Sequence, residues 1–285
     1  MSQPGWRYRW SIGIYAGATL GSLTPLAGLS QPVLTPEWVT DVRAGAVADP
    51  FLLRQDGQWY LFFEVWNCAG GRGELAYATS PDLRDWQYGR RILCEPFHLS
   101  YPQVLCWEDR FYLIPETRQA GQVRLYEAMR FPRHWRCIAT LLTGPFADAT
   151  VLHHEGSWWL FAQRGLDELR LFCADRLQGP WQEHPSSPLW AGNRRRTRPG
   201  GRLVRADGCL VRFAQDAWPE YGHCLRAFVV DRLDPWDYRE HEMQGSPILA
   251  ASRHGWNALA MHHIDAVAVA GGWIAAVDGA ELAVF

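Results

Sequence analysis

Two carboxylates bracket the segment AVADPFLLRQDGQWYLFFEVWN, residues 46–67. Asp49 stands before a proline at the head of an apolar run, and Glu64 sits inside LFFEVW. One ionised carboxylate that takes a proton and one protonated carboxyl that gives it are the raw material of general acid–base chemistry. The alternative is turn chemistry for Asp49 and a structural hydrogen bond for Glu64. The same spacing recurs along the chain. Asp49, a turn at Asp56-Gly57 and Glu64 are matched by Tyr101, Glu108-Asp109 and Glu116, and by Asp148, Glu155-Gly156 and Gln163. Gly200, Asp207-Gly208 and Gln215 follow, and His263, Ala270-Gly271 and Asp278 close the series.

Each match is a pair of apolar strands around a two-residue turn, so the carboxylates belong to hairpins. A third strand follows in GELAYATS (73–80), GQVRLYEA (121–128), DELRLFCA (167–174), HCLRAFVV (223–230) and GAELAVF (279–285). Trp86, Trp135, Trp181 and Trp236 then mark the entry to a fourth strand. A four-stranded unit repeated five times predicts an all-β, five-bladed β-propeller spanning 1–285 as a single domain. Its blades start near 49, 101, 148, 200 and 263. The fifth unit lacks a fourth strand, and RWSIGIYAG (9–17) has the pattern to complete it.

In a propeller the first strands line a central channel. Asp49, Tyr101, Asp148, Gly200 and His263 should therefore meet in one ring. The second series, Glu64, Glu116, Gln163, Gln215 and Asp278, is polar in all five blades inside apolar runs. Buried polar groups need partners, so these five either bond the neighbouring inner strand or serve a site. Trp66 beside Glu64, Arg118, Arg164, Arg198 and His262 are further candidates to hold a sugar or an anionic substituent. Period two places His263 and Asp265 on one strand face, where they could orient a water or a hydrated cation. No other cofactor or metal is expected. The run NRRRTRP (193–199) is the densest positive patch. It suits a solvated loop or, through bidentate guanidinium contacts, an anionic ligand.

Composition excludes several classes. Hydrophobic residues make up 48 % of the chain and the formal net charge is −2, which gives no sign of a nucleic-acid or anionic-membrane partner. The seven scattered cysteines, with no C-x-x-C pair, predict neither a disulfide framework nor a structural zinc site. No apolar stretch reaches a membrane span and no signal-peptide pattern opens the chain, so a cytoplasmic location is expected. The sixteen tryptophans serve as core filler and, in part, as surfaces on which sugars stack.

The motifs VADPF, WYLFFEVWN, EPFHLSYPQV, YLIPET, RPGGRLV, RFAQD and MHHID together resemble one family. It is the propeller domain at the N-terminus of plant glucosamine inositolphosphorylceramide transferases and of bacterial stand-alone or formyltransferase-linked relatives. The resemblance covers residues 9–265 or so. That domain is distantly similar to the family-43 glycoside hydrolases. The similarity implies a general base at Asp49 and a pKa-tuning carboxylate at Asp148. The blade-four general acid of those hydrolases has no counterpart, because RPGGRLV offers Arg198 and Gly200 there. A proton donor would have to be Glu116, with Glu64 as the other choice. The implied activity is glycosidase-like, on a glycan or sugar that could be anionic or phosphorylated. The other reading is a non-catalytic glycan- or sugar-phosphate-binding module serving a partner glycosyltransferase or formyltransferase. A purely structural platform fits least well with five polar positions in register.

Overall fold

The computed structural model describes residues 8–282. The described strands form five small antiparallel sheets arranged as a five-bladed β-propeller. Blade one consists of Ala44–Gln55, Gln58–Asn67, Arg72–Ser80 and Gln87–Leu93, and blade two of Ser100–Trp107, Arg110–Glu116, Gln122–Arg130 and His134–Thr143. Blade three holds Phe146–His154, Ser157–Arg164, Glu168–Ala174 and Gln182–Glu183. In blade four the inner strand is split into Arg198–Pro199 and Val204–Ala206. It is followed by Cys209–Asp216, Cys224–Leu233 and Tyr238–Glu242.

Blade five closes the ring with the N-terminal strand, as the sequence predicts, but one position further in. Gly272–Leu282 runs on through Gly279, so the expected separate strand at 279–285 is a continuation of the second strand where it is described. Tyr8–Gly17 then pairs along the whole of it as the third strand, and the short Thr24–Pro25 is the fourth.

The hairpin turns explain the common register. Gln55 pairs with Gln58 across Asp56 (φ 50°) and Gly57 (φ 78°), a two-residue turn with both central residues left-handed. Glu108-Asp109, Glu155-Gly156 and Asp207-Gly208 repeat it. The recurring tryptophans fix the turn into the outer strand. Trp86, Trp135 and Trp181 each donate Nε1 to a carbonyl three or four residues earlier, at 3.0, 2.8 and 3.1 Å. Trp236 departs from the pattern and is exposed.

The apolar core is divided among the five blade interfaces. Ile12 and Ile14 pack on Leu61, Phe63 and Val65 between blades five and one. Phe51, Phe62 and Tyr77 meet Val104 and Leu113 between blades one and two. Ile114 and Leu125 meet Val151 and Leu160 between two and three, Phe161 and Leu171 meet Leu210 and Val230 between three and four, and Phe213 and Leu225 meet Ile264 and Val277 between four and five. The centre is left to polar groups.

Candidate active site at the centre of the propeller

The inner strands are broken where the chemistry collects. Asp49, Tyr101 and Asp148 have φ of 53°, 49° and 49°, in the left-handed region that costs a non-glycine residue roughly 1–3 kcal/mol. The ladder slips at each, between Ala48 and Phe51, Ser100 and Gln103, and Ala147 and Thr150. Each break frees backbone and side chain to face the axis. In blade four the break is complete. Gly201 has φ 144°, and a Cβ there would lie 1.7 Å from the Ile264 carbonyl oxygen. Only glycine lets blade four approach blade five this closely.

The ring residues are joined across blades. Asp49 N donates to Asp278 Oδ2 at 3.0 Å and Tyr101 N donates to Asp49 Oδ2 at 3.1 Å. Tyr101 is fully buried and crosses the channel. Its hydroxyl bonds Thr150 Oγ1 of blade three at 2.7 Å and accepts the Gly201 N–H of blade four at 2.8 Å. It is a strut, inaccessible to a ligand.

Two ion-pair systems share the centre. In the first, Arg198 Nε donates to Asp148 Oδ2 at 2.5 Å, Gln215 Nε2 donates to the same oxygen at 2.8 Å, and Arg198 Nη2 lies 3.9 Å from Glu116 Oε2. Burial would raise Asp148, but the guanidinium outweighs it and holds the carboxyl below its usual range. Glu116 is pushed up to about 8, by burial first and then by the Asp148 charge, and its Oε2 is buried without a hydrogen-bond partner. In the second, His262 Nδ1 bonds Asp278 Oδ1 at 2.7 Å and His262 Nε2 stands 3.6 Å from Asp49 Oδ1. Asp278 overcomes the burial penalty on His262 and raises it, and His262 in turn keeps Asp278 low against burial. Asp49 is pushed up to about 7, mainly by burial, with the Asp148 and Asp278 charges adding to the effect and His262 opposing it. Asp49 Oδ1 is buried without a hydrogen-bond partner.

His263 is fully buried, edge-on to Phe51 and Tyr101 at centroid distances of 4.8 and 5.2 Å. Burial pulls it down to about 4, so it is neutral, and neither ring nitrogen has a hydrogen-bond partner. Its Nδ1 lies 3.7 Å from Asp49 Oδ1. Asp265 does not join it. That carboxylate takes the Leu52 N–H at 2.7 Å and both Nε and Nη2 of Arg202, at 2.9 and 3.1 Å, and is a structural tie.

The second series divides. Gln163 Nε2 bonds the Leu166 carbonyl and Thr197 Oγ1, Gln215 bonds Asp148 and the Pro199 carbonyl, and Asp278 caps the N–H groups of Asp49, His262 and His263. Among the described residues the ion pair of Glu64 is with His98 Nε2, at 3.7 Å. Burial and the surrounding carboxylates raise Glu64 well above the usual range, and burial takes His98 down to about 4.

Glu64 and His262 line a cavity of about 90 Å³ with Trp10, Ala46, Ala48 and Tyr221. Sequence reasoning missed Trp10 and Tyr221. The Trp10 and Tyr221 rings flank His262 at 4.3 and 5.0 Å, and Arg198 lies 5.3 Å from the Tyr221 ring. Tyr221 comes from the AWPEYG loop of blade four, whose proline and glycine mark a loop but not its direction. Trp66 is half-buried, its ring 5.9 Å from His98. Arg118 sits in the 3-10 turn after Glu116, with no ion pair among the described residues. Arg164 is exposed and acts on Glu183 of the outer strand, away from the ring.

The fold and site are thus those of a five-bladed propeller with a nest of buried carboxyls at its centre. Solved structures of similar fold include glycoside hydrolases. The catalytic domain of a Coprinopsis cinerea GH62 alpha-L-arabinofuranosidase aligns with a TM-score of 0.62 at 13 % identity, over 96 % of this chain and 97 % of that one. The exo-beta-1,3-galactanase 1,3Gal43A from Clostridium thermocellum aligns with a TM-score of 0.61 at 14 % identity, over 73 % and 51 %. Sequence defines the family more closely. Residues 4–280 match the family described as glucosamine inositolphosphorylceramide transferase 1, N-terminal, and the chain belongs to it. It is 32 % identical over 295 residues to glucosamine inositolphosphorylceramide transferase 1 of Oryza sativa subsp. japonica, covering 95 % of this chain and 40 % of that protein. The Arabidopsis thaliana protein of the same name is 33 % identical, with 95 % and 39 % covered. The chain thus spans about two fifths of the length of these curated relatives. No helix among the described residues is long and apolar enough to cross a membrane.

Proposed function

We propose that the protein is a carbohydrate-active enzyme of glycosidase type whose site is the centre of the propeller. The observation that carries this reading is the nest of buried carboxyls at the centre, with Asp148 paired to Arg198, one Asp49 oxygen unpartnered and Glu64 lining a cavity. Asp148 is held ionised by Arg198, Asp49 titrates near neutral pH with one free oxygen, and Glu64 and Glu116 stay protonated. Asp49 would activate water as general base. Glu64 suits the role of proton donor better than Glu116, because Glu64 lines the cavity and Glu116 does not. Trp10 and Tyr221 would face the sugar ring. The free Asp49 oxygen and the neutral His263 ring suit a bound water or hydrated cation. The seven free cysteines support a reducing, cytoplasmic setting.

The test is turnover of a panel of aryl glycosides, including arabinofuranosides and galactosides. Asp49→Asn and Glu64→Gln should each lower kcat by about 10²–10⁴-fold with the fold intact. Wild-type rates in both variants would sink the assignment.

A second reading is a glycan- or sugar-phosphate-binding module supporting a transferase or formyltransferase. It is favoured by Arg198, which ties up Asp148. The relatives' name supports it too, since this chain matches only part of those transferases. Calorimetric binding of a glycan without turnover would decide for it.

A further inference from the structure

A second cavity, of about 140 Å³, lies on blade four, lined by Asn193, Arg195, Arg196, Arg226, Phe228 and Glu242. Nothing in the central chemistry uses these residues. We propose that this cavity binds a phosphate group carried on a sugar.

The receptor is built and held in place. The Arg196 guanidinium lies 3.5 Å from the Trp190 ring centroid and 4.6 Å from that of Phe228. Such stacking fixes the plane of a guanidinium before any ligand arrives. Asn193 Oδ1 accepts the Arg195 N–H at 3.0 Å and pins the loop.

Donors outnumber acceptors here. Glu240 is saturated, taking Arg212 Nε and Nη2 at 2.8 and 2.7 Å, Trp190 Nε1 at 2.7 Å, Tyr238 OH at 2.6 Å and Arg196 Nη2 at 3.4 Å. Glu242 is committed to Arg226 Nη1 at 2.7 Å and Ser246 Oγ at 2.8 Å. That leaves Arg196 Nε and Arg212 Nη1 buried without partners. Arg195 is exposed and has no ion pair among the described residues. Burial and the Arg212 charge pull Arg196 below its usual range, with Glu240 offsetting only part of this. A multivalent anion in the cavity would meet the three arginines that line it, Arg195, Arg196 and Arg226, and phosphate offers oxygens in the geometry that guanidinium groups bind. Phosphate rather than a bare surface anion fits because a stacked, partly buried guanidinium discriminates by geometry as well as charge.

That the phosphate is carried on a sugar rests on the sugar-binding reading above.

Calorimetry and phosphorus NMR with glucose 6-phosphate, inorganic phosphate and glucose provide the test. Both phosphates should bind and glucose alone should bind more weakly. Arg195→Gln, on an exposed loop position, should weaken phosphate binding about tenfold, the loss of one charge-assisted contact. Glu242→Gln should tighten it, because one of the two carboxylates that hold Arg226, Glu242 and Asp216, loses its charge. A purely structural role for these residues would not give that opposite sign. Absence of phosphate binding at millimolar concentration, or equal binding by wild type, R195Q and E242Q, overturns the proposal. Binding to phosphatidic acid vesicles with none to glucose 6-phosphate overturns the sugar-phosphate assignment. No readout depends on turnover, so failure here and failure of the glycosidase reading are separately visible.

Discussion

Arg198 of blade four donates Nε to Asp148 of blade three at 2.5 Å. The pair links two blades and keeps one of the central carboxyls charged. Asp148 is fully buried, so removing its partner leaves an uncompensated charge in the interior. Arg198→Ala should cost about 3 kcal/mol in chemical denaturation, in the range for a broken buried ion pair. In the same variant Asp148 should take up a proton and Glu116 should lose the charge that raises it. Unchanged stability would mean that solvent already screens the pair.

The pH dependence of stability follows from the divided carboxyls. Asp49 and Glu116 have folded pKa values raised to about 7 and 8, above those of the unfolded chain. The folded state binds more protons than the unfolded chain from the ordinary carboxylate range, about pH 4, up to these folded values, so stability falls as pH rises through that window. His262, raised by Asp278, acts in the same direction. Asp148 and Asp278 are lowered, so their contribution is present above the unfolded carboxylate range and is lost in acid. Wild type should be most stable in mildly acidic buffer and decline toward pH 9. Asp49→Asn should flatten the decline and be more stable than wild type at pH 8. A variant whose melting curve follows wild type at every pH would show that Asp49 ionises freely.

Much of this was legible in the sequence, and the reasons are physical. The blade register could be read because each hairpin needs turn residues that tolerate left-handed φ, and Asp-Gly or Glu-Gly pairs announce them. Asp49 and Asp148 stood out because each is an acid at the head of an apolar strand, at the same place in its repeat. Long-range partners were not legible. Period two put His263 beside Asp265, but the break before Ile264 and the arrival of Arg202 from blade four separate their roles. Arg164 looked like a ring residue by position, yet strand alternation turns it outward. Tyr221 lies in a loop, where no periodicity says which way a side chain faces. Blade five was closed by the predicted segment but in a different place, because Gly279 does not end its strand.

Tyr101 offers a test of the channel itself. Its hydroxyl accepts the Gly201 N–H and bonds Thr150, all buried. Tyr101→Phe leaves that N–H unsatisfied and should destabilise the protein by about 1–3 kcal/mol. Gly201→Ala is more severe, since its Cβ collides with the Ile264 carbonyl at 1.7 Å and the residue is left-handed. It should give no folded monomer on gel filtration. A stable G201A protein would show that blades four and five can part.

Tyr221 separates ligand binding from stability. Its side chain is 42 % exposed, yet it lines the central cavity with Glu64, His262 and Trp10. Removing a half-exposed ring from a loop should cost little folding free energy. The same ring supplies the accessible apolar face over Arg198, and an aromatic face of this kind contributes about 0.5–1.5 kcal/mol beyond the area it buries. Tyr221→Ala should therefore leave the thermal midpoint within a few degrees of wild type while weakening glycan binding by about three- to tenfold. Tyr221→Phe should restore binding if stacking is the cause and fail to restore it if the hydroxyl is. Measured by calorimetry on the glycan that the panel selects, equal affinity in wild type and Y221A would place the sugar elsewhere on the propeller.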